Sequence, residues 1–181
     1  MTARLELVGA PGFEPWVDAA VDIYLTALDR PPEIAPSRRA STREHLSEPG
    51  FRAVLVWEDE ALVGFGYGYD DLPGQWWHDI VLAALTPELA KRWMARAFQV
   101  TEVHVLPGYQ RRGLGRRIVS SLLDGVSRPT AVLSAFDQPT PARELYRSMG
   151  FVDVITGLRF PGNVEIYTVM AADLPLGQQR R

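Results

Sequence analysis

A chain of 181 residues with 46% apolar and 23% charged side chains has the composition of a soluble globular protein. It is long enough for a substantial core and too short for two ordinary domains. It contains no cysteine, which excludes disulfides, thiol nucleophiles and thiolate metal sites, and its three histidines are dispersed, which argues against a histidine-based metal centre. The net charge of −3 argues against non-specific nucleic-acid binding, and no apolar run approaches transmembrane length. No basic-then-apolar leader opens the sequence, so the cytoplasm is the expected compartment, with no membrane partner.

In chain order, a short strand is expected near Arg4–Val8, and Pro15–Leu28 carries Val17, Val21, Tyr24, Leu25 and Leu28 at helical spacing. The proline-rich stretch Arg30–Ser37 reads as a loop, followed by a helix over Thr42–Leu46 that stops before Pro49-Gly50. Ala53–Trp57 and Ala61–Tyr69, joined by Glu58-Asp59-Glu60, form a hairpin signal. After Asp70–Gly74 come Trp76, Trp77 and His78, and then Thr86-Pro87-Glu88, an N-cap, a first-turn proline and a first-turn acid that predict a helix to about Ala97. A strand over Phe98–Leu106 precedes an amphipathic helix with Ile118, Val119, Leu122, Leu123 and Val126 on one face. A strand at Ala131–Phe136, a helix at Ala142–Met149 stopped by Gly150, and strands at Phe151–Val154 and Val164–Met170 complete the order. The order, hairpins first and β-α-β crossovers later, is mixed α/β in one domain over residues 1–176, with a disordered tail expected over 177–181.

The most informative stretch runs from Val103 to Arg116. A strand ends at Pro107, passes through a glycine- and arginine-rich turn, and enters a helix at once. Free backbone N–H groups at the positive end of a helix dipole seat a phosphate or pyrophosphate. Gly113 and Gly115 let the backbone come close to an anion, and Arg111, Arg112 and Arg116 add positive charge. Lys91 is the only lysine, so the arginine excess is chain-wide and says less than the backbone does.

Two motifs then resemble the GNAT superfamily of acetyl-CoA-dependent N-acetyltransferases. Val105-Leu106-Pro107 followed by Gln110-Arg111-Arg112-Gly113-Leu114-Gly115 is similar to the family's pyrophosphate loop, [QR]-x-x-G-x-[GA] after a strand ending V-x-P. Ala142-Arg143-Glu144-Leu145-Tyr146-Arg147-Ser148-Met149-Gly150-Phe151 is similar to its A-x-x-L-Y-x-x-x-G-F pattern. The resemblance covers roughly Ala53–Met170. It departs at Asp137-Gln138-Pro139-Thr140, where many members carry an asparagine that contacts the cofactor, and in the long Gly74–Ala97 segment, which suggests a substrate lid or partner surface.

The resemblance implies an α/β fold with a central mixed sheet flanked by helices and an extended segment between the third and fourth strands, and transfer of an acetyl group from acetyl-CoA, without a metal, to a primary amine of a small molecule. A protein amine as acceptor, a longer acyl-CoA, or a CoA-binding module without turnover are its alternatives. Amides from Arg111 to Arg116, framed by Gln110, would hold the diphosphate, and the main chain of Val103 and Val105 would pair with the pantetheine arm. Tyr146 would protonate the departing thiolate, for which a phenol is suitable because its pKa lies near that of the thiol. Glu102 is a candidate base for the acceptor ammonium and His104 its rival. On a regular strand these two share one face, although a bulge would change which face meets the cleft. Tyr67, Tyr69, Trp76, Trp77 and His78 could form an aromatic wall for the acceptor, with cation–π capacity, although such tryptophans also anchor loops on a core. Many members are dimers, so a homodimer is an open expectation.

Overall fold

The elements of the computed structural model, which describes residues 3–177, follow the chain in this order. Strand β1 (Arg4–Val8) leads into α1 (Ala10–Phe13), a 3-10 turn, α2 (Val17–Ala27) and α3 (Ala35–His45). Next come β2 (Arg52–Glu58), β3 (Ala61–Asp70), α4 (Trp76–Ala84), α5 (Pro87–Trp93), β4 (Ala97–Val105) and α6 (Leu114–Leu123). The chain ends with β5 (Thr130–Phe136), α7 (Pro141–Ser148), β6 (Val152–Leu158) and β7 (Tyr167–Asp173). Among the described residues these strands form a seven-stranded mixed sheet in the order β1-β2-β3-β4-β5-β7-β6. No described helix is long and apolar enough to cross a membrane.

The chain folds as two compact units, residues 3–69 with Val100–Leu122, and Asp70–Gln99 with residues 123–177. In the first, β1 and β2 pair antiparallel, and β2 and β3 form the expected hairpin around Asp59, whose φ of 54° is the left-handed conformation a short polar residue tolerates. Alternate residues of β2 and β3 face opposite ways. Leu55, Trp57, Phe65 and Tyr67 bury one face under Phe13, Val17, Ala20 and Ile23 of α1 and α2. On the other face Gly66 lets Ile118 of α6 come so close that a Cβ there would sit 2.5 Å from it. Helices therefore cover both faces of this part of the sheet.

In the second unit, β4 and β5 run parallel with their register at Ala97–Gln99, while β5 with β7 and β7 with β6 are antiparallel. Trp77 and Val81, four apart on α4, pack with Met94, Val132, Val169 and Ala171.

Several sequence expectations change. The segment Arg30–Ser37 is not all loop, because α3 begins at Ala35 with Pro36 in its first turn, where a missing N–H is harmless. Trp76-Trp77-His78, given no element from the sequence, opens α4. The α5 helix stops at Trp93 rather than Ala97, since Ala97 is already paired with Thr130 in the sheet. Val164 is 82% exposed and precedes β7, whose register with β5 starts at Tyr167. Of the tail expected at 177–181, residues 178–181 lie outside the described residues.

Candidate active site

Strand β4 ends at Val105, and Leu106 N–H donates to the Val63 carbonyl at 2.9 Å, holding the exit of the strand against β3. A 3-10 turn over Pro107–Tyr109 follows, and Gln110 Nε2 donates back to the Val105 carbonyl at 2.9 Å, closing the loop from inside. Arg111 and Gly113 have φ of 65° and 76°, so the backbone alternates hand just before α6. Successive N–H groups in such a conformation converge into an anion-binding concavity. Arg117 N–H donates to the Gly113 carbonyl, which begins the helical ladder and leaves the amides of Leu114, Gly115 and Arg116 at the free, positive end. Leu114 is buried and anchors that end, while Gly115 is half-buried and Arg111 and Arg116 are exposed. Arg112 pairs with Glu58 at 3.0 Å and lies over the Tyr109 ring, so its charge is partly committed to the protein.

One strand turn upstream, Glu102 and His104 do share a face: His104 Nε2 lies 2.5 Å from Glu102 Oε2. The other carboxylate oxygen accepts from Arg38 Nη2 of α3. Arg38 lies over the Tyr24 ring at 4.2 Å, and Tyr24 meets the His104 ring edge-on at 5.1 Å. Phe65 closes another side of His104 at 5.6 Å. Tyr67 is buried beneath this group; its hydroxyl lies 3.0 Å from His45 Nδ1 and bonds Thr42. Tyr69 is also buried, its ring 5.2 Å from that of His45.

The electrostatics follow from burial and pairing. Burial pushes the Glu102 carboxyl up, but the His104 hydrogen bond and charge, Arg38 and His45 outweigh it, leaving the group below its ordinary value. Burial holds His45 below the usual imidazole value, and burial raises both Tyr24 and Tyr67, so the two phenols keep their protons at neutral pH.

In the second unit, Tyr146 is buried on α7, its ring 5.7 Å from Phe151. The helix bearing it is held from several sides. Thr140 caps it by accepting from Arg143 N–H, and Arg143 spans Asp137 at 2.9 Å and Asp153 at 2.8 Å. Asp137 also accepts from Thr168 Oγ1 and Gly157 N–H, both at 2.8 Å. Its carboxyl is held down by those two hydrogen bonds and by Arg143. The carboxylate at the position of departure from the family's asparagine therefore joins α7 to β6 and β7.

The three residues Trp76, Trp77 and His78 separate. Trp76 is 57% exposed and leans on Phe160 at 5.5 Å. Trp77 is buried and donates to Ser134 Oγ, while buried His78 lies 2.8 Å from Asp71, whose carboxyl burial raises despite that partner. Among the described residues no group of three or more His, Asp or Glu side chains is placed to hold a metal ion.

Comparison with known proteins bears on this arrangement directly. The model of the acetyltransferase (GNAT) family matches residues 17–151, a span containing α2, α3, β4, the loop and Tyr146. The chain belongs to the GNAT family. A GCN5-like protein acetyltransferase of Mycobacterium tuberculosis is 31% identical over 187 residues, covering 87% of this chain and 91% of that protein. The fold is similar to that of the ribosomal-protein-S18-alanine N-acetyltransferase from Escherichia coli, at 16% identity, 99% coverage of both chains and TM-score 0.65. It is similar too to yncA from Salmonella typhimurium, solved with its cofactor acetyl-CoA, at 17% identity, 100% and 99% coverage and TM-score 0.64.

Within this GNAT chain, sequence reasoning missed Arg38, Thr42 and His45. They fall at i, i+4 and i+7 on α3, one helical face turned toward Glu102 of β4 and Tyr67 of β3, a signal readable only if the helix starts before Thr42.

Proposed function

We propose that the protein passes the acetyl group of acetyl-CoA directly to a primary amine of a small molecule, using the Glu102–His104 pair as the base. The observation that carries the reading is that pair, fixed on β4 just before a loop whose free backbone amides suit an anion. Amides from Arg111 to Arg116 take the diphosphate, with Gln110 bracing the loop. Beyond Gln99 the main chain of β4, including Val103 and Val105, pairs with the pantetheine arm, a role consistent with a β4–β5 register limited to Ala97–Gln99.

An amine attacks a thioester only when neutral, so its proton must leave. Glu102 is a poor final acceptor, because both its oxygens are engaged and its carboxyl is held below the ordinary range. Its role is to accept a hydrogen bond from the Nε2–H of His104, which fixes the tautomer and leaves Nδ1 with the lone pair that takes the amine's proton. Attack at the carbonyl carbon gives an oxyanion stabilised by backbone N–H groups, and collapse expels the CoA thiolate, which Tyr146 protonates.

A protein amine is the second reading, favoured by the M. tuberculosis relative, which is described as a protein acetyltransferase. Following free thiol release with a panel of small amines and of lysine- and amine-terminal peptides tests both. Acetylated product is expected, with a loss of about 100-fold or more in kcat for His104→Gln. Full activity in His104→Gln would remove the imidazole from the mechanism.

A further inference from the structure

Between α2, α3, β3 and β4 of the first unit lies a narrow recess of about 10 Å³, lined by Val21, Tyr24, Arg38, Phe65, Tyr67 and Glu102. It has room for one group of about the size of water, such as an amine head. Its charges can be counted. Tyr24 and Tyr67 remain neutral phenols and His45 a neutral imidazole near pH 7. Arg38 is a cation, and Glu102 is an anion whose two oxygens are taken by Arg38 and His104. An entering ammonium therefore finds a guanidinium and no uncommitted carboxylate among these lining groups.

The other arginines of α3 behave differently. Arg39 and Arg43 face α2, where Asp18 and Asp22 neutralise them at 2.8–3.4 Å. Arg38 turns inward instead, and its pairing uses Nη2 while one face covers Tyr24. Its side chain is still 34% accessible, and Nη1 and Nε are further donors on the same planar fork. Once His104, bonded to Glu102 at the edge of the recess, has taken the amine's proton, two cations and one anion stand together there, a net charge of +1. A solvent-poor pocket disfavours that state unless the acceptor supplies a negative charge.

We propose that the acceptor is an amine that also carries a carboxylate, and that Arg38 reads this carboxylate through the edge of its guanidinium not used by Glu102. The inference rests on the amine-acetylation reading above. It fits either a free ω-amino acid or a lysine with an acidic neighbour in a protein, since the chemistry presented to Arg38 is the same. The guanidinium has a second effect, because a nearby cation favours the neutral, nucleophilic form of the amine.

The experiment compares matched acceptors with similar amine basicity. Pentylamine against 5-aminopentanoate, with shorter and longer homologues, forms the small-molecule arm. A lysine peptide with an adjacent glutamate against its glutamine twin forms the protein arm. The wild-type enzyme is expected to favour the carboxylated member by about tenfold or more in kcat/KM, mostly through KM, in at least one arm. Arg38→Gln should bring that ratio to about one and Arg38→Lys should keep part of it, because the charge survives and the fork does not. A preference in the first arm alone identifies a small acid, and in the second alone an acid-flanked protein lysine. A wild-type ratio at or below one in both arms overturns the assignment, whatever the variants do, and so does a ratio unchanged in a folded Arg38→Gln protein. Absence of transfer to any amine, with acetyl-CoA bound, instead removes the amine-acetylation reading on which the proposal stands.

Discussion

Gly66→Ala places one methyl group where β3, β4 and α6 meet. The new Cβ would lie 2.5 Å from Ile118 Cγ2, 3.0 Å from the Glu102 carbonyl oxygen and 3.4 Å from Val103 Cγ2. Carbon atoms rest at about 3.5–4.0 Å, so the Ile118 contact must open by about 1 Å. Ile118 is fully buried and has no open side to turn toward, and the Glu102 oxygen is backbone. Overpacking of this kind costs about 1–3 kcal/mol. The movement falls on the strand that carries Glu102 and His104 and on the helix that carries the loop, and a misplacement of about 1 Å in a reacting geometry costs about 100-fold in rate. Urea denaturation followed by tryptophan fluorescence should show a lower midpoint at unchanged slope, and thiol-release rates should fall with it. Gly108→Ala is the control, because its Cβ meets nothing within 4 Å. Wild-type stability and turnover in Gly66→Ala would refute the claim that this junction sets the geometry of β4.

The other predictions concern titration and the proposed acid. His45 has a folded-state pKa below its unfolded value, so it adds stability above the unfolded value that is lost as pH falls through the folded one. Glu102 and Asp153, held low by their partners against the opposing effect of burial, continue the loss in more acidic solution, with Asp71 acting in the opposite sense. Unfolding midpoints measured from pH 7.5 to 4 should fall steadily, and His45→Gln should flatten the upper part of that slope; an unchanged slope would contradict the burial argument. Tyr146→Phe should lower kcat by about 100-fold or more while acetyl-CoA affinity stays near wild type, as calorimetry and thiol release together measure. Equal turnover would leave Tyr146 a packing residue beside Phe151.

What could be read from the sequence was what local chemistry announces. Pro107, the glycines at 113 and 115 and the apolar face of α6 mark a strand, a turn and a helix within twenty residues, and the structure keeps all three. The shared face of Glu102 and His104 follows from strand parity alone. Long-range partners were not legible. Arg38 is 64 residues from Glu102, and no local rule pairs them. Asp137 shows in sequence only as a departure from a motif, while in space it joins Arg143, Thr168 and Gly157. Trp76, Trp77 and His78 look alike on paper, yet helical periodicity exposes the first and buries the other two. The β6 strand extends past Val154 through register shifts around Gly157, whose φ of 73° an alternation rule does not foresee.

Isothermal calorimetry of acetyl-CoA with the wild-type protein and with Gly115→Glu tests the central claim most directly. A glutamate at the free end of α6 suits the helix dipole, so the variant should fold, but it sets a negative charge where the diphosphate is to sit. Saturable 1:1 binding to the wild type, abolished in a folded Gly115→Glu protein, is the expected result. No binding to the wild type, or equal binding to both proteins, would contradict the account.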